Sequence, residues 1–241
     1  MGFNGWGGFA EEMAIDANRV FPMSEQMDFA TAATVIMTYG TSQYALKDRG
    51  QLKPNETLLV LGAGGGVGLA AVQIGKLMGA RVIAAASTDE KLAICKEYGA
   101  DEVINYKAED LKERVKALGG KKGIDVIFDP VGGQYAEPAL RGMGWGGRYL
   151  VIGFAAGDIP RIPFNLFLLK GCSVIGVFWG AFTDREPQRN RAYLQELLSW
   201  FDDGKIKTHI SAAYPLAHAS DALDDMMQRK VAGKAVILTA E

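Results

Sequence analysis

From Thr57 onward the chain alternates short apolar runs with stretches of helical periodicity. The first run, Thr57-Leu58-Leu59-Val60-Leu61, lacks polar alternation and suits a strand buried on both faces of a parallel sheet. After a cluster of glycines, Val67, Ala70, Ala71, Ile74, Leu77 and Met78 recur at helical spacing, and Gly79 can close the helix. Arg81 to Ala86 reads as a second strand, and Asp89 to Tyr98 as a helix ending at Gly99. Four more strands are expected over 101–105, 124–128, 148–152 and 172–178, with Leu111, Val115 and Leu118 marking another helix face. This alternation predicts βαβ units with right-handed crossovers, hence an α/β fold with a doubly wound parallel sheet of Rossmann type.

The two ends do not fit inside such a domain. Residues 1–52 contain Gly5-Trp6-Gly7-Gly8-Phe9-Ala10 and an apolar helical stretch from Phe29 to Leu46. At the far end, Ala219 to Arg229 reads as a helix and Lys234 to Thr239 as a strand. A strand needs partners for its N–H and C=O groups, and the expected partner is a second domain. The expected organisation is a partial second domain and linking helix over 1–52, the α/β domain over 53–204, and a return segment over 205–241. Part of the second domain is expected to be missing ahead of Met1.

Apolar residues make up 49% of the chain and charged residues 22%, enough for a substantial core. A net charge of -2 provides no attraction for nucleic acid or an anionic membrane, so neither is an expected partner. The uncharged stretch from Thr57 to Gly75 is broken by glycines in its middle, which argues against a membrane span. Cys95 and Cys172 stand alone in apolar patterns, with no Cys/His cluster to hold a metal. Two lone thiols fit a reducing compartment, and a cytoplasmic location is expected.

The chemistry concentrates in Leu61-Gly62-Ala63-Gly64-Gly65-Gly66-Val67-Gly68, between a strand and a helix. A pyrophosphate needs free backbone N–H groups and an approach unobstructed by Cβ atoms, and a helix N-terminus supplies the donors. The frame G-x-G-x-x-G fails because its third glycine falls on Val67; G-x-x-G-x-x-G fits at 62, 65 and 68. The alternative, a plain crossover turn, seldom needs so many glycines. Selectivity is read at the end of the second strand, where an acid would accept hydrogen bonds from a ribose 2′-hydroxyl. Here Ala86-Ser87-Thr88 is followed by Lys91, a hydroxyl and an ammonium suited to a 2′-phosphate, so the expected cofactor is NADPH. Lys91 also reads as a solvated helix lysine, and Asp89 and Glu90 as first-turn helix acids. A domain binding S-adenosylmethionine would put an acid where Ala86-Ser87 stands.

Met37-Thr38-Tyr39-Gly40-Thr41-Ser42-Gln43-Tyr44-Ala45-Leu46, the glycine turn with Gly64, Ala71-Val72-Gln73-Ile74, Gly99-Ala100-Asp101 and Ile104-Asn105-Tyr106 together carry a resemblance. Over nearly its whole length the chain resembles the medium-chain dehydrogenase/reductase superfamily, and within it the zinc-independent quinone oxidoreductases. The resemblance implies a GroES-like catalytic domain, a Rossmann domain and a cleft between them, with hydride passing from NADPH to a quinone or the β-carbon of an enone. It implies cofactor contacts at Thr38, Gly65, Gly66, Val67, Ser87, Lys91, Tyr106 and Arg229. It also implies that Ile152-Gly153-Phe154 and Phe178-Trp179 flank the nicotinamide. Each has a structural alternative: a back-bonded helix threonine for Thr38, a strand-end tyrosine for Tyr106, a surface arginine for Arg229, and domain-interface core for Phe154, Phe178 and Trp179.

Zinc-dependent relatives place a cysteine near Thr34, and this chain has none before Cys95, so no metal is expected. No proton donor is identified. The apolar sixth strand is expected at the sheet edge, pairing two copies into a homodimer, with Val177 in the contact. Two alternatives stand beside the leading reading: a chain that binds dinucleotide without turnover, and an enoyl-thioester reductase of the same superfamily.

Overall fold

The computed structural model describes residues 1–239. After an irregular opening segment, α1 (Phe29–Gln43) runs on through a π-helical turn at Tyr44–Arg49 and leads into β1 (Thr57–Leu61). There follow α2 (Gly66–Leu77), β2 (Arg81–Ala86), α3 (Asp89–Glu97), β3 (Glu102–Asn105), α4 (Leu111–Gly119) and β4 (Ile124–Asp129). The next elements are α5 (Ala136–Arg141), β5 (Met143–Val151), α6 (Asn165–Lys170), β6 (Ser173–Gly176), α7 (Trp179–Arg185) and α8 (Pro187–Asp202). The return segment carries β7 (Ile210–Pro215), α9 (Ala219–Met227) and β8 (Lys234–Leu238).

The first six strands form one parallel sheet in the order β3-β2-β1-β4-β5-β6. This is the doubly wound arrangement expected from the sequence. The lack of polar alternation in β1 has a direct cause: Leu58 and Val60 turn to one face, Leu59 and Leu61 to the other, and all four are fully buried. One face packs on α1, α2 and α8, the other on α4 and α5. The strand order reverses between β1 and β4, and the crevice at that switch point lies above the glycine turn.

Several elements depart from the expected spans. β5 begins at Met143, well before Arg148, and its pairing with β4 is irregular between Ile124 and Val126. β6 is shorter than expected, Ser173–Gly176, though it does occupy the sheet edge. Val177, expected in a contact between copies, turns into the core instead. β8 pairs in parallel with β7 across the intervening α9, so the return segment supplies its own βαβ unit. Among the described residues no helix is long and apolar enough to cross a membrane.

Candidate functional site

Two glycines of the turn, Gly62 and Gly68, are required by the local geometry. Gly62 has φ 59°, a left-handed conformation that favours glycine. A Cβ at Gly68 would lie 2.3 Å from the Gly62 carbonyl oxygen, so only glycine lets α2 start so close to β1. Gly65 caps α2 with no side chain, and the first helix bond runs from Leu69 N–H to Gly65 C=O at 2.8 Å. The N–H groups of Gly66, Val67 and Gly68 therefore lie ahead of the hydrogen-bond ladder, where a helix offers donors to an anion.

The return segment closes over this turn. Gly233 N–H donates to Gly64 C=O at 2.8 Å, and Gly65 and Gly233 form a parallel bridge. The Thr38 methyl and the Lys234 stem both lie against Gly66, where a Cβ would come within 3.1 Å and 2.7 Å of them. Burial holds the Lys234 ammonium below the usual lysine range. The result is a cleft of about 530 Å3 whose floor is the turn and whose walls come from β2, β4, α9 and the approach to β8.

At one end of the cleft Ser87, Lys91, Tyr106 and Arg229 converge. The stem of Lys91 crosses Gly64, and its ammonium donates to the Arg229 carbonyl at 2.7 Å. Burial, and then the Arg229 guanidinium, hold the Lys91 ammonium below its ordinary value. No carboxylate pairs with either cation among the described residues. Asp89, the nearest acid in sequence to Ser87, is held by the Asn105 amide at 2.8 Å. Arg229 itself has φ 59° just past the end of α9, a position where glycine is usual. The Tyr106 ring packs on Tyr135 at 4.4 Å; burial raises its hydroxyl, against the pull of Ser87 and Arg229.

The opposite lip is shaped by Asp129, at the end of β4. Its buried carboxylate accepts from Val131 N–H at 2.7 Å, Gly132 N–H at 2.8 Å and the Tyr149 hydroxyl at 2.5 Å. Burial raises its carboxyl above the usual range even so. The bonds curl Pro130 and Val131 over Gly62 and into the cleft wall. The residues present thus offer a Cβ-free cradle and, beside it, two unpaired cations and a hydroxyl, a donor set that fits a phosphorylated dinucleotide.

Of the residues singled out in the sequence, Gly64, Gly65, Gly66, Val67, Ser87, Lys91, Tyr106 and Arg229 come together in the cleft. Thr38 is buried, its hydroxyl donating to Thr34 C=O at 2.5 Å while its methyl meets the turn. Ile152 packs against the core, and Phe154 rests on Gly132 beside the cleft, whose wall takes Ala155 instead. Phe178 is 77% exposed, and Trp179, 5% exposed, packs on Gly40 and edge-on to Phe3 at 5.2 Å. Neither lines this cleft. Sequence reasoning missed Met226, Met227, Val231, Gly233 and Lys234; the signal available was the Gly233-Lys234 pair between a helix and a terminal strand.

A family profile described as zinc-binding dehydrogenase matches residues 66–200. Among the described residues, no group of three or more His, Cys, Asp or Glu is placed to hold a metal ion. Quinone oxidoreductase-like protein 2 homolog of Nematostella vectensis is 38% identical over 237 residues, which span 98% of this chain and 65% of that protein. A probable oxidoreductase from Mycobacterium abscessus superposes with a TM-score of 0.86 at 35% identity, covering 98% of this chain and 71% of the other. Escherichia coli quinone oxidoreductase, solved in complex with NADPH, gives 0.86 at 28% identity over 92% of this chain and 69% of the other. The chain belongs to the zinc-binding dehydrogenase family, in the quinone oxidoreductase-like branch of the medium-chain dehydrogenase/reductase superfamily.

Proposed function

We propose that this chain holds NADPH in an oxidoreductase that reduces a quinone or an α,β-unsaturated carbonyl compound without zinc. The observation that carries the reading is the pair Lys91 and Arg229, two cations with no carboxylate partner, at the end of a Cβ-free cradle. The 2′-phosphate of NADPH brings about -1.5 to -2 charge to such a place. The NADPH complex of the Escherichia coli relative supports the same choice. NADPH supplies the hydride; the protein's part is to hold and orient it. Gly66, Val67 and Gly68 present N–H groups to the pyrophosphate, and Lys234 adds positive charge beside Gly66. Ser87, Lys91 and Arg229 take the 2′-phosphate, and Tyr106 walls the same end.

The reading divides the chain at about residues 52 and 204 into catalytic-domain portion, dinucleotide domain and return segment. It also pairs two copies along the exposed edge of β6. The chain spans 65% of the length of its Nematostella relative. NADPH oxidation in the presence of a simple quinone therefore separates turnover from binding alone. The cofactor assignment is tested by titrating NADPH and NADH separately against the protein. The expected result is a preference for NADPH of about tenfold to a hundredfold, the equivalent of roughly 1.5–3 kcal/mol from a charge-assisted hydrogen bond. Equal affinities would remove the assignment.

A further inference from the structure

We infer that Met226 and Met227 form the wall on which the adenine of the cofactor seats, and that their oxidation by a hydroperoxide releases the cofactor. The inference rests on the dinucleotide reading and deepens it. Adenine and the 2′-phosphate hang from one ribose, so the surface that takes the base must adjoin the cations that take the phosphate. Both methionines line the same cleft as Lys91 and Arg229, and Arg229 N–H donates to the Met226 carbonyl at 3.0 Å. The last turn of α9 thus presents two thioethers directly before the phosphate-binding arginine. A flexible, polarizable side chain is suited to an aromatic face, where sulfur contacts are favourable.

The same two side chains are the most open of the nine methionines. Met227 is 81% exposed and Met226 56%, ahead of Met37 at 45% and Met13 at 39%. Thioether oxidation follows exposure. Cys95 is buried and its thiol is pushed up to about 12, and burial raises Cys172 too, so neither offers a reactive thiolate at neutral pH. In the step itself a sulfur–oxygen bond forms and the peroxide O–O bond breaks. The thioether gives up two electrons and becomes a sulfoxide, and hydrogen peroxide becomes water. A polar sulfoxide on an apolar wall opposes the base that the thioether attracts.

The test compares wild-type protein with a Met226→Leu/Met227→Leu double variant, each before and after hydrogen peroxide, with intact mass following oxygen addition at these positions. Dissociation constants are measured for NADPH, for 2′,5′-ADP, and for reduced nicotinamide mononucleotide, which lacks the adenosine half. Peroxide is expected to weaken NADPH and 2′,5′-ADP binding to the wild type about tenfold and to leave the mononucleotide unchanged. The leucine pair, which lacks the thioether contacts, is expected to bind both adenosine ligands more weakly than the untreated wild type and to show no further loss after peroxide. Methionine sulfoxide reductase should restore the oxidised wild type. Unchanged affinity in wild type carrying both sulfoxides would overturn the inference, as would an equal peroxide-induced loss in the leucine pair. A wild type that binds neither NADPH nor 2′,5′-ADP before treatment would sink the dinucleotide reading, and this inference with it.

Discussion

Lys91 sits between two demands: burial and Arg229 favour its neutral form, while a 2′-phosphate would favour the ammonium. Binding the phosphorylated cofactor therefore draws the Lys91 pKa back up. At a pH above the lowered value, binding takes up a proton, so NADPH affinity should decline as pH rises through it, ahead of the ordinary lysine range. On the acid side the phosphate loses its second charge near pH 6, and affinity should decline there also. Fluorescence titration of NADPH across pH, with NADH as the flat reference, reads both limbs. Lys91→Ala should weaken NADPH binding about tenfold to a hundredfold, leave NADH nearly unchanged and remove the alkaline limb; added salt should narrow the wild-type gap. Loss for both cofactors alike would assign Lys91 to folding instead.

Arg229 allows the fold and the charge to be tested apart. Its φ of 59° is one that glycine adopts without cost, so Arg229→Gly should leave thermal stability unchanged or raise it by up to about 1 kcal/mol. The same change should lower NADPH affinity. A fall in melting temperature with unchanged affinity would contradict the assignment. At this scale the sequence was most legible where backbone chemistry leaves few options: the glycine turn, and Ser87 and Lys91 at the end of β2. It was least legible at Trp179, whose fate depended on Gly40 opening a slot in α1. The bulk of an aromatic residue says that it will pack, and does not say against what.

At the scale of elements, α2 owes its position to one missing side chain. Gly68→Ala would put a methyl 2.3 Å from the Gly62 carbonyl, a backbone atom that cannot swing away. Moving α2 off β1 should cost roughly 1–3 kcal/mol in denaturant unfolding and weaken NADPH and NADH together. Selective loss of one cofactor would show that the clash is absorbed elsewhere. β1, β2 and β4 could be anticipated because burial on both faces leaves apolar runs, whereas β3 and β6 are only partly buried. α8 escaped notice although Leu194 and Leu197 are buried at helical spacing and Pro187 stands at its first turn. β7 gave less to read, since its half-buried pattern is written in Ile210, Ala212 and Tyr214, a weak alternation.

For the whole molecule, the open edge of β6 matters most. Its exposed Val174 (49%), with Phe178 beyond it, presents an apolar border next to unpaired strand groups. Val174→Lys should shift a dimer toward monomer in sedimentation velocity at micromolar concentration without lowering the melting temperature. Val177→Lys should instead unfold the protein, because Val177 faces the core. A wild type that sediments only as monomer would remove the proposed pairing. The bond from Gly233 N–H to Gly64 C=O has a consequence in time. Gly233 is synthesised about 170 residues after Gly64, which at cellular elongation rates is about ten to thirty seconds. A ribosome carrying the finished sheet strands thus displays a glycine turn whose second wall does not yet exist, and a nascent chain halted before β8 should emerge folded in its sheet but blind to dinucleotide.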